Sequence, residues 1–311
     1  MESVDIIMPV YNGEATIGAA IESVAAQTVA HRCRLIIVDD ASTDSTLDVV
    51  QRYMIAMPAL AERCKVVALG TNRGAAEAYN AGLKSGNSHW IARCDADDEM
   101  MPDAIERMLA KADKTGADII VGATLKVDGE RRTTLRPDIS GGLNSMPIDT
   151  VNFSLCNKLV KRTLLMQAPD GKTLSVLQGI NCWDDLSLVA RLAALPGCRM
   201  VELEGEPVYR YNRHSGQTTL SRTDRQYQLE QHMECALRLT RWFDNNGLSA
   251  IYEPFLLRLK FLSKVKLLRG QGASSRIAEW RNTFPETSAY IMKMSPDMSL
   301  PLRIVFRLLS L

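Results

Sequence analysis

The chain has 311 residues and a mass of 34.5 kDa, with 46% hydrophobic and 23% charged residues, which excludes a disordered chain and allows one large domain or two smaller ones. Its 37 Lys and Arg against 36 Asp and Glu leave a net charge of +1, so the overall charge gives no reason to expect a nucleic-acid partner. Seven cysteines with no CxxC pair and no ligand-like spacing read as reduced cytosolic thiols, mostly core filler.

The first hundred residues alternate regularly. VDIIMPV (4–10) is a short apolar, β-branched run followed by the turn YNG. Residues 14–29 place Ile17, Ala20, Ile21, Val24 and Ala25 at helical spacing. RLIIVDD (34–40) is a continuous apolar strand, and 42–54 offers capping residues and then a helical pattern. KVVALG (65–70) predicts a third strand, 73–86 a helix closed by Gly, and HWIARCD (89–95) a fourth strand. Pro102 opens a helix that ends at Gly116, and 117–127 predicts one continuous fifth strand. Apolar strands separated by helices indicate an α/β fold whose mostly parallel sheet is covered by helices on both faces.

Beyond about residue 128 the pattern loosens. A polar Gly/Pro-containing loop comes first, then VNFSLCNKLVKRTLLMQ (151–167) with helical character, then a helix over 181–197 opened by acidic residues. CRMVELEGEPVYRYNRHSGQTT (198–219) is strand-like and ends in a polar loop, and from about 222 the chain reads as helices, many of them basic and amphipathic. The N-terminus MESVDIIMPV lacks a basic segment followed by a long apolar one, so no signal peptide is expected, and no run reaches the roughly 18 apolar residues of a spanning helix.

In parallel sheets ligands bind at the carboxyl ends of strands, and the polar clusters YN, DDASTD, TNRG and DADD all fall there. Asp95 and Asp97 in DADD are two apart, so on an extended segment both face one cation or one sugar. Hard divalent cations want such oxygens, and two carboxylates leave positions open for phosphate. The plainer alternative has Asp97 and Asp98 capping the helix near Pro102. In DDASTD, Ser42, Thr43 and Asp44 are expected to cap the next helix while Asp39 or Asp40 faces a ligand.

The ordered set PVYN, DDxSTD, NRG and DADD resembles the family 2 glycosyltransferases, inverting nucleotide-sugar enzymes of the Rossmann-like GT-A fold. The resemblance covers roughly residues 4–125 and continues through Trp183-Asp184-Asp185 and PVYRYNRHSGQTT to about 219. It implies a metal-dependent hexosyltransferase. Pro9, Tyr11 and Asn12 would line the donor pocket, Asp40 would bond the base (most characteristically uracil), and Asn72 and Gly74 would let backbone approach the donor. Asp95 would reach the ribose or metal region. Asp97 would bind Mg²⁺ or Mn²⁺ on the diphosphate, with His214 as a further metal ligand. The family often has Gly where Ala41 and Ser45 stand and Arg where Tyr79 stands, which bears on donor identity.

The resemblance also makes Asp185 the base that deprotonates an acceptor hydroxyl, beside Asp184 where the family usually has Glu. Without the upstream motifs, Asp184-Asp185 is an ordinary acidic first turn. Trp183 either stacks on a sugar or packs at a helix start, and Lys158 either contacts phosphate on the acceptor side or is a surface lysine. The expected organisation is a GT-A domain over 1–221, with a donor half to about 127 and an acceptor half over 128–221, and a helical extension over 222–311. Basic residues among Leu and Phe in 255–269 and 302–309 offer peripheral contact with an anionic membrane, against packing on the catalytic domain. The implied setting is bacterial-type surface polysaccharide or glycolipid synthesis with a saccharide or lipid-linked acceptor, in the cytoplasm or at the inner face of the membrane. Two other readings are a sugar-nucleotide nucleotidyltransferase and an inactive nucleotide-sugar-binding module. The absence of Lys and Arg from PVYNGEATIG opposes the first, and the survival of both DxD and the acidic pair opposes the second.

Overall fold

VDIIMPV and CRLIIVD form strands β1 (Val4–Val10) and β2 (Cys33–Asp39), paired in parallel along their whole length. The computed structural model that contains them describes residues 2–214, 225–267 and 283–287. Between and after them come α1 (Ile17–Ala25), α2 (Thr46–Ala56), α3 (Pro58–Ala61), β3 (Cys64–Ala68), α4 (Ala75–Ser85), β4 (Trp90–Arg93), β5 (Glu99–Met100) and α5 (Ala104–Thr115). The middle of the chain holds β6 (Ile119–Val121), β7 (Thr124–Asp128), β8 (Arg131–Leu135), α6 (Thr150–Phe153) and β9 (Lys158–Lys161). The remainder holds α7 (Asp184–Ala193), β10 (Met200–Glu202), β11 (Tyr209–Arg213), α8 (Arg225–Asn245) and α9 (Glu253–Leu267).

Seven strands form the main sheet in the order β10-β6-β9-β4-β1-β2-β3, parallel except for β9, and four form a smaller sheet in the order β5-β11-β7-β8. Successive side chains of β1 alternate between two cores. Ile6 and Met8 join Ile17, Ile21, Val49, Ile105 and Leu109 on one face, and Ile7 joins Ala76, Leu83, Leu188 and Leu239 on the other. Burial on both faces is why this strand is apolar throughout, and each fully buried Ile or Leu contributes roughly 1.5–3 kcal/mol.

The polar segment after 128, expected as a loop, opens with strand β8, which pairs with β7, and two expected elements also differ from the structure. The strand over 117–127 breaks at Gly122, so β6 stays in the main sheet while β7 enters the smaller one. A Cβ at Gly122 would lie 2.4 Å from Val208 Cγ2, so glycine permits the crossing. The helix over 151–167 is instead the single turn α6, then β9, then a short 3-10 helix at Arg162–Met166. The carbonyls that a continuing helix would bond are taken by side chains. Lys158 Nζ donates to Ser154 O (2.6 Å) and Val151 O (3.3 Å), and Asn157 Nδ2 donates to Val151 O (2.8 Å). Leu155 N–H is likewise diverted, to Asp185 Oδ2 at 3.0 Å.

The helical C-terminal region shares the core of the α/β layer. Phe255 packs 6.0 Å from Phe153, and Phe243, Leu239 and Leu259 are fully buried in the same cluster. The described basic residues of α9 have partners within the protein. Arg258 donates to the carbonyls of Leu143, Ser145 and Met146, Lys260 meets Glu286 at 2.8 Å, and Lys264 is buried against Thr287. Residues 255–264 are therefore a packing helix rather than a membrane-facing one. The side chains of 265–269, all of 302–309 and the expected boundary near 221 lie outside the described residues. Arg258→Ala is expected to cost about 2 kcal/mol in denaturant unfolding, since it removes charge-assisted bonds to three carbonyls.

Candidate functional site

The carboxyl ends of β1, β2 and β4 open into a cavity of about 1210 Å³, larger than one drug-sized ligand needs. Pro9, Tyr11, Asn12, Asp40, Asn72, Gly74, Asp95, Asp97, Trp183, Asp184, Asp185 and His214 all line it.

The turns after β1 and β2 are bonded to each other. Asn12 N–H donates to Ser42 Oγ (2.9 Å), and Asn12 Oδ1 accepts from Thr43 N (2.8 Å). Ser42 and Thr43 thus bind the neighbouring loop instead of capping α2, and only Asp44 reaches a helix N–H, that of Thr46 at 3.0 Å. Asp39 accepts from Ser42 N, while Asp40 lines the cavity and accepts from Arg73 N (2.8 Å) and Gly74 N (2.7 Å). Asp40 therefore shapes the NRG loop as well as facing the site. Gly74 has φ +87°, and a Cβ there would lie 2.3 Å from Asn181 Oδ1, so glycine is required twice over. Ala41 adopts φ +61° without being glycine. Ala41→Gly removes that strain, offset partly by chain entropy, and is expected to stabilise the fold by up to about 1 kcal/mol in thermal unfolding.

The DADD segment divides its work. Asp95 Oδ1 accepts from Arg93 Nε at 2.6 Å, whereas Asp97 Oδ2 lies 2.9 Å from His214 Nε2. Asp98 is buried, accepting from Tyr209 OH (2.8 Å) and Asn212 N (2.8 Å), and burial together with Asp95 and Asp97 pushes its carboxyl up to about 8. Neither Asp97 nor Asp98 caps α5, whose N-cap is Asp103. Asp97 and His214 form a hard oxygen and imidazole pair suited to Mg²⁺ or Mn²⁺. Among the described residues no group of three or more His, Cys, Asp or Glu is placed to hold a metal.

In the same cavity, Asp184 and Asp185 begin α7. Asp185 Oδ1 accepts from Arg93 Nη1 (2.6 Å) and Oδ2 from Leu155 N (3.0 Å), while Asp184 Oδ2 lies 3.0 Å from the same Arg93 nitrogen. Burial raises the Asp185 carboxyl above its ordinary range, against the pull of Arg93. Trp183 sits at φ +65°, lines the cavity, and meets His232 edge-on at 4.4 Å, so it is both a cavity wall and a packing residue.

Lys158 fits neither expectation. It is buried away from the cavity, its Nζ held by Val151 O, Ser154 O and Asn157 Oδ1, and burial pulls it down to about 7. Its effect on the site is indirect, through the turn that presents Leu155 N–H to Asp185.

Sequence reasoning missed Arg93, Asn181 and Tyr227. The signal for Arg93 was a charge inside the apolar run HWIARCD, which burial makes tolerable only beside carboxylates. Asn181 Nδ2 donates to Tyr227 OH (3.1 Å) and its N–H to Gln231 Oε1 (2.6 Å), so α8 braces the loop before α7, whose Asn181 lies against Gly74. No local pattern joins those distant segments.

Residues 5–174 match the family model described as Glycosyl transferase family 2. The succinoglycan biosynthesis protein ExoO of Rhizobium meliloti is 29% identical over 66% of this chain and 60% of its own length. The dodecaprenyl-phosphate galacturonate synthase of Rhizobium johnstonii is 35% identical over 38% of this chain and 34% of its own. The chain thus spans three-fifths or less of these relatives. Among solved structures, S. aureus TarS 1–349 in complex with UDP-GlcNAc superposes with a TM-score of 0.71 at 20% identity, covering 94% of this chain and 82% of that one, a likeness of fold. With its motifs gathered in one cavity of a GT-A fold, the chain belongs to glycosyltransferase family 2.

Proposed function

We propose that the protein transfers a sugar from a UDP-sugar to a hydroxyl acceptor with inversion, in surface polysaccharide or glycolipid synthesis. The observation that carries this reading is the meeting of two acidic groups in one cavity: Asp95-Asp97 after β4 and Asp184-Asp185 at the start of α7. The complex of TarS with UDP-GlcNAc supports a UDP-sugar donor, and the names of the Rhizobium relatives support a polysaccharide or lipid-linked acceptor.

Pro9, Tyr11, Asn12, Asp40, Asn72 and Gly74 form the nucleotide side, with Asp40 facing the base. Asp97 and His214 would hold Mg²⁺ or Mn²⁺, and the cation supplies positive charge to the departing diphosphate. Asp185 takes the acceptor hydroxyl proton as that oxygen bonds to the anomeric carbon, and the bond from that carbon to the diphosphate oxygen breaks on the opposite face. Trp183 and Asp184 stand on the acceptor side. The donor half is assigned to 1–127, the acceptor half to 128–221 and the supporting helices to 222–311.

A cytoplasmic location accords with seven free cysteines, and among the described residues no helix is long and apolar enough to cross a membrane. A panel of nucleotide-sugars, assayed for nucleoside diphosphate release with and without Mn²⁺, tests class and donor together. UDP release from a UDP-sugar, stimulated by the metal, is expected. Binding without release from any donor would overturn the enzymatic reading.

A further inference from the structure

Arg93 is the last residue of β4 and is 6% exposed, in a strand otherwise made of Trp90, Ile91 and Ala92. A guanidinium withdrawn from water needs several partners, and this one has three. Nε meets Asp95 Oδ1 at 2.6 Å, and Nη1 meets both Asp185 Oδ1 at 2.6 Å and Asp184 Oδ2 at 3.0 Å. Its guanidinium carbon lies 5.3 Å from the centre of the Tyr79 ring, which backs it from α4.

We propose that Arg93 is the positioning residue of this enzyme, holding Asp185 in its reacting orientation and joining it to Asp95 on the donor side. The inference rests on Asp185 being the base. One Asp185 oxygen is fixed by Arg93 and the other by Leu155 N–H, so two separate segments set the plane of the carboxylate. Each oxygen keeps a second lone pair for the acceptor proton.

The charges around Asp185 show why a cation is needed there. Asp184 faces it from its own helix, Asp95 from the end of β4, Tyr79 from α4, and Cys156 and Lys158 from β9 and the turn before it. Burial, Asp184 and Asp95 all favour the protonated acid, and Arg93 is the main opposing charge. Lys158 is nearby, but its own charge is weakened by burial and directed at carbonyls. Without Arg93, Asp95, Asp184 and Asp185 would crowd together with no cation between them, and Asp185 would hold its proton at neutral pH.

The test is the pH profile of kcat for the wild type, Arg93→Gln and Arg93→Lys, followed as UDP release from the UDP-sugar turned over fastest. Calorimetric UDP binding and thermal unfolding serve as controls of folding. Arg93→Gln is expected to lose at least tenfold in kcat at pH 7, with its acidic limb displaced toward alkaline pH by about one unit or more. Arg93→Lys restores charge without the three-way fork and should fall between. It also carries the test if the Gln variant does not fold. An acidic limb that stays in place in the folded variants overturns the proposal, because a purely structural role lowers activity without moving it. Asp185→Asn run in parallel separates the two ideas. If it turns over normally, the base assignment is wrong, and if it is inactive while the Arg93 limbs are unmoved, only the role of Arg93 is.

Discussion

Asp185→Asn is expected to lower turnover by about 10²-fold or more while UDP binding stays within a fewfold of wild type. The exchange keeps the volume of the side chain and removes the proton acceptor, together with the charge that pairs with Arg93. The proposed donor contacts belong to other residues, so affinity for UDP should survive. In the wild type, burial lifts the Asp185 carboxyl above the ordinary carboxylate range, and only the ionised form can act as base. Turnover should therefore fall as pH drops through that raised value, at a higher pH than an exposed Asp would give. A steady-state pH profile beside calorimetry with UDP checks both parts. Near-normal turnover in the Asn variant would move the assignment to Asp184.

The second large effect concerns Asp97. Asp97→Asn removes a charged oxygen 2.9 Å from His214 and should abolish most of the gain in UDP affinity that Mn²⁺ confers. EDTA should have the same effect on the wild type and almost none on the variant. Calorimetry with UDP, with and without Mn²⁺, reads this directly. Equal UDP affinity in EDTA and Mn²⁺ for the wild type would remove the metal role from Asp97 and His214 together.

How far these groups were legible from sequence depends on the range of the interactions that place them. β1, β2 and β4 were plain because a strand covered on both faces is apolar at every step, and the polar clusters that follow them necessarily fall at one edge. His214 and Asp97, far apart in sequence, meet at 2.9 Å because β11 runs beside β5, which follows DADD. The segment 151–167 misled because Leu155, Leu159 and Val160 suit a helix as well as a strand, and the choice is made by side chains capping backbone carbonyls. Lys158 reads from sequence as a phosphate contact or a surface lysine because an apolar surrounding is unusual for a lysine. Its three oxygen partners come from a turn that no periodicity reveals. Arg93 was visible as a charge in an apolar run, yet its meaning needed Asp184 and Asp185, ninety residues away.

The bracing of Asn181 by α8 bears on how the molecule can be divided. The family model ends at residue 174, before α7 supplies Asp185 and before α8 brings Tyr227 and Gln231 to Asn181. Leu239, Phe243, Phe255 and Leu259 fill the same core that Ile7 and Leu83 enter from the sheet side. A fragment cut at the end of the recognisable motif would leave that apolar surface bare and the Gly74 loop without its support. The catalytic unit is thus not modular at the scale its sequence signature suggests. Exchange of donor specificity between relatives would have to carry the C-terminal helices along with the loops.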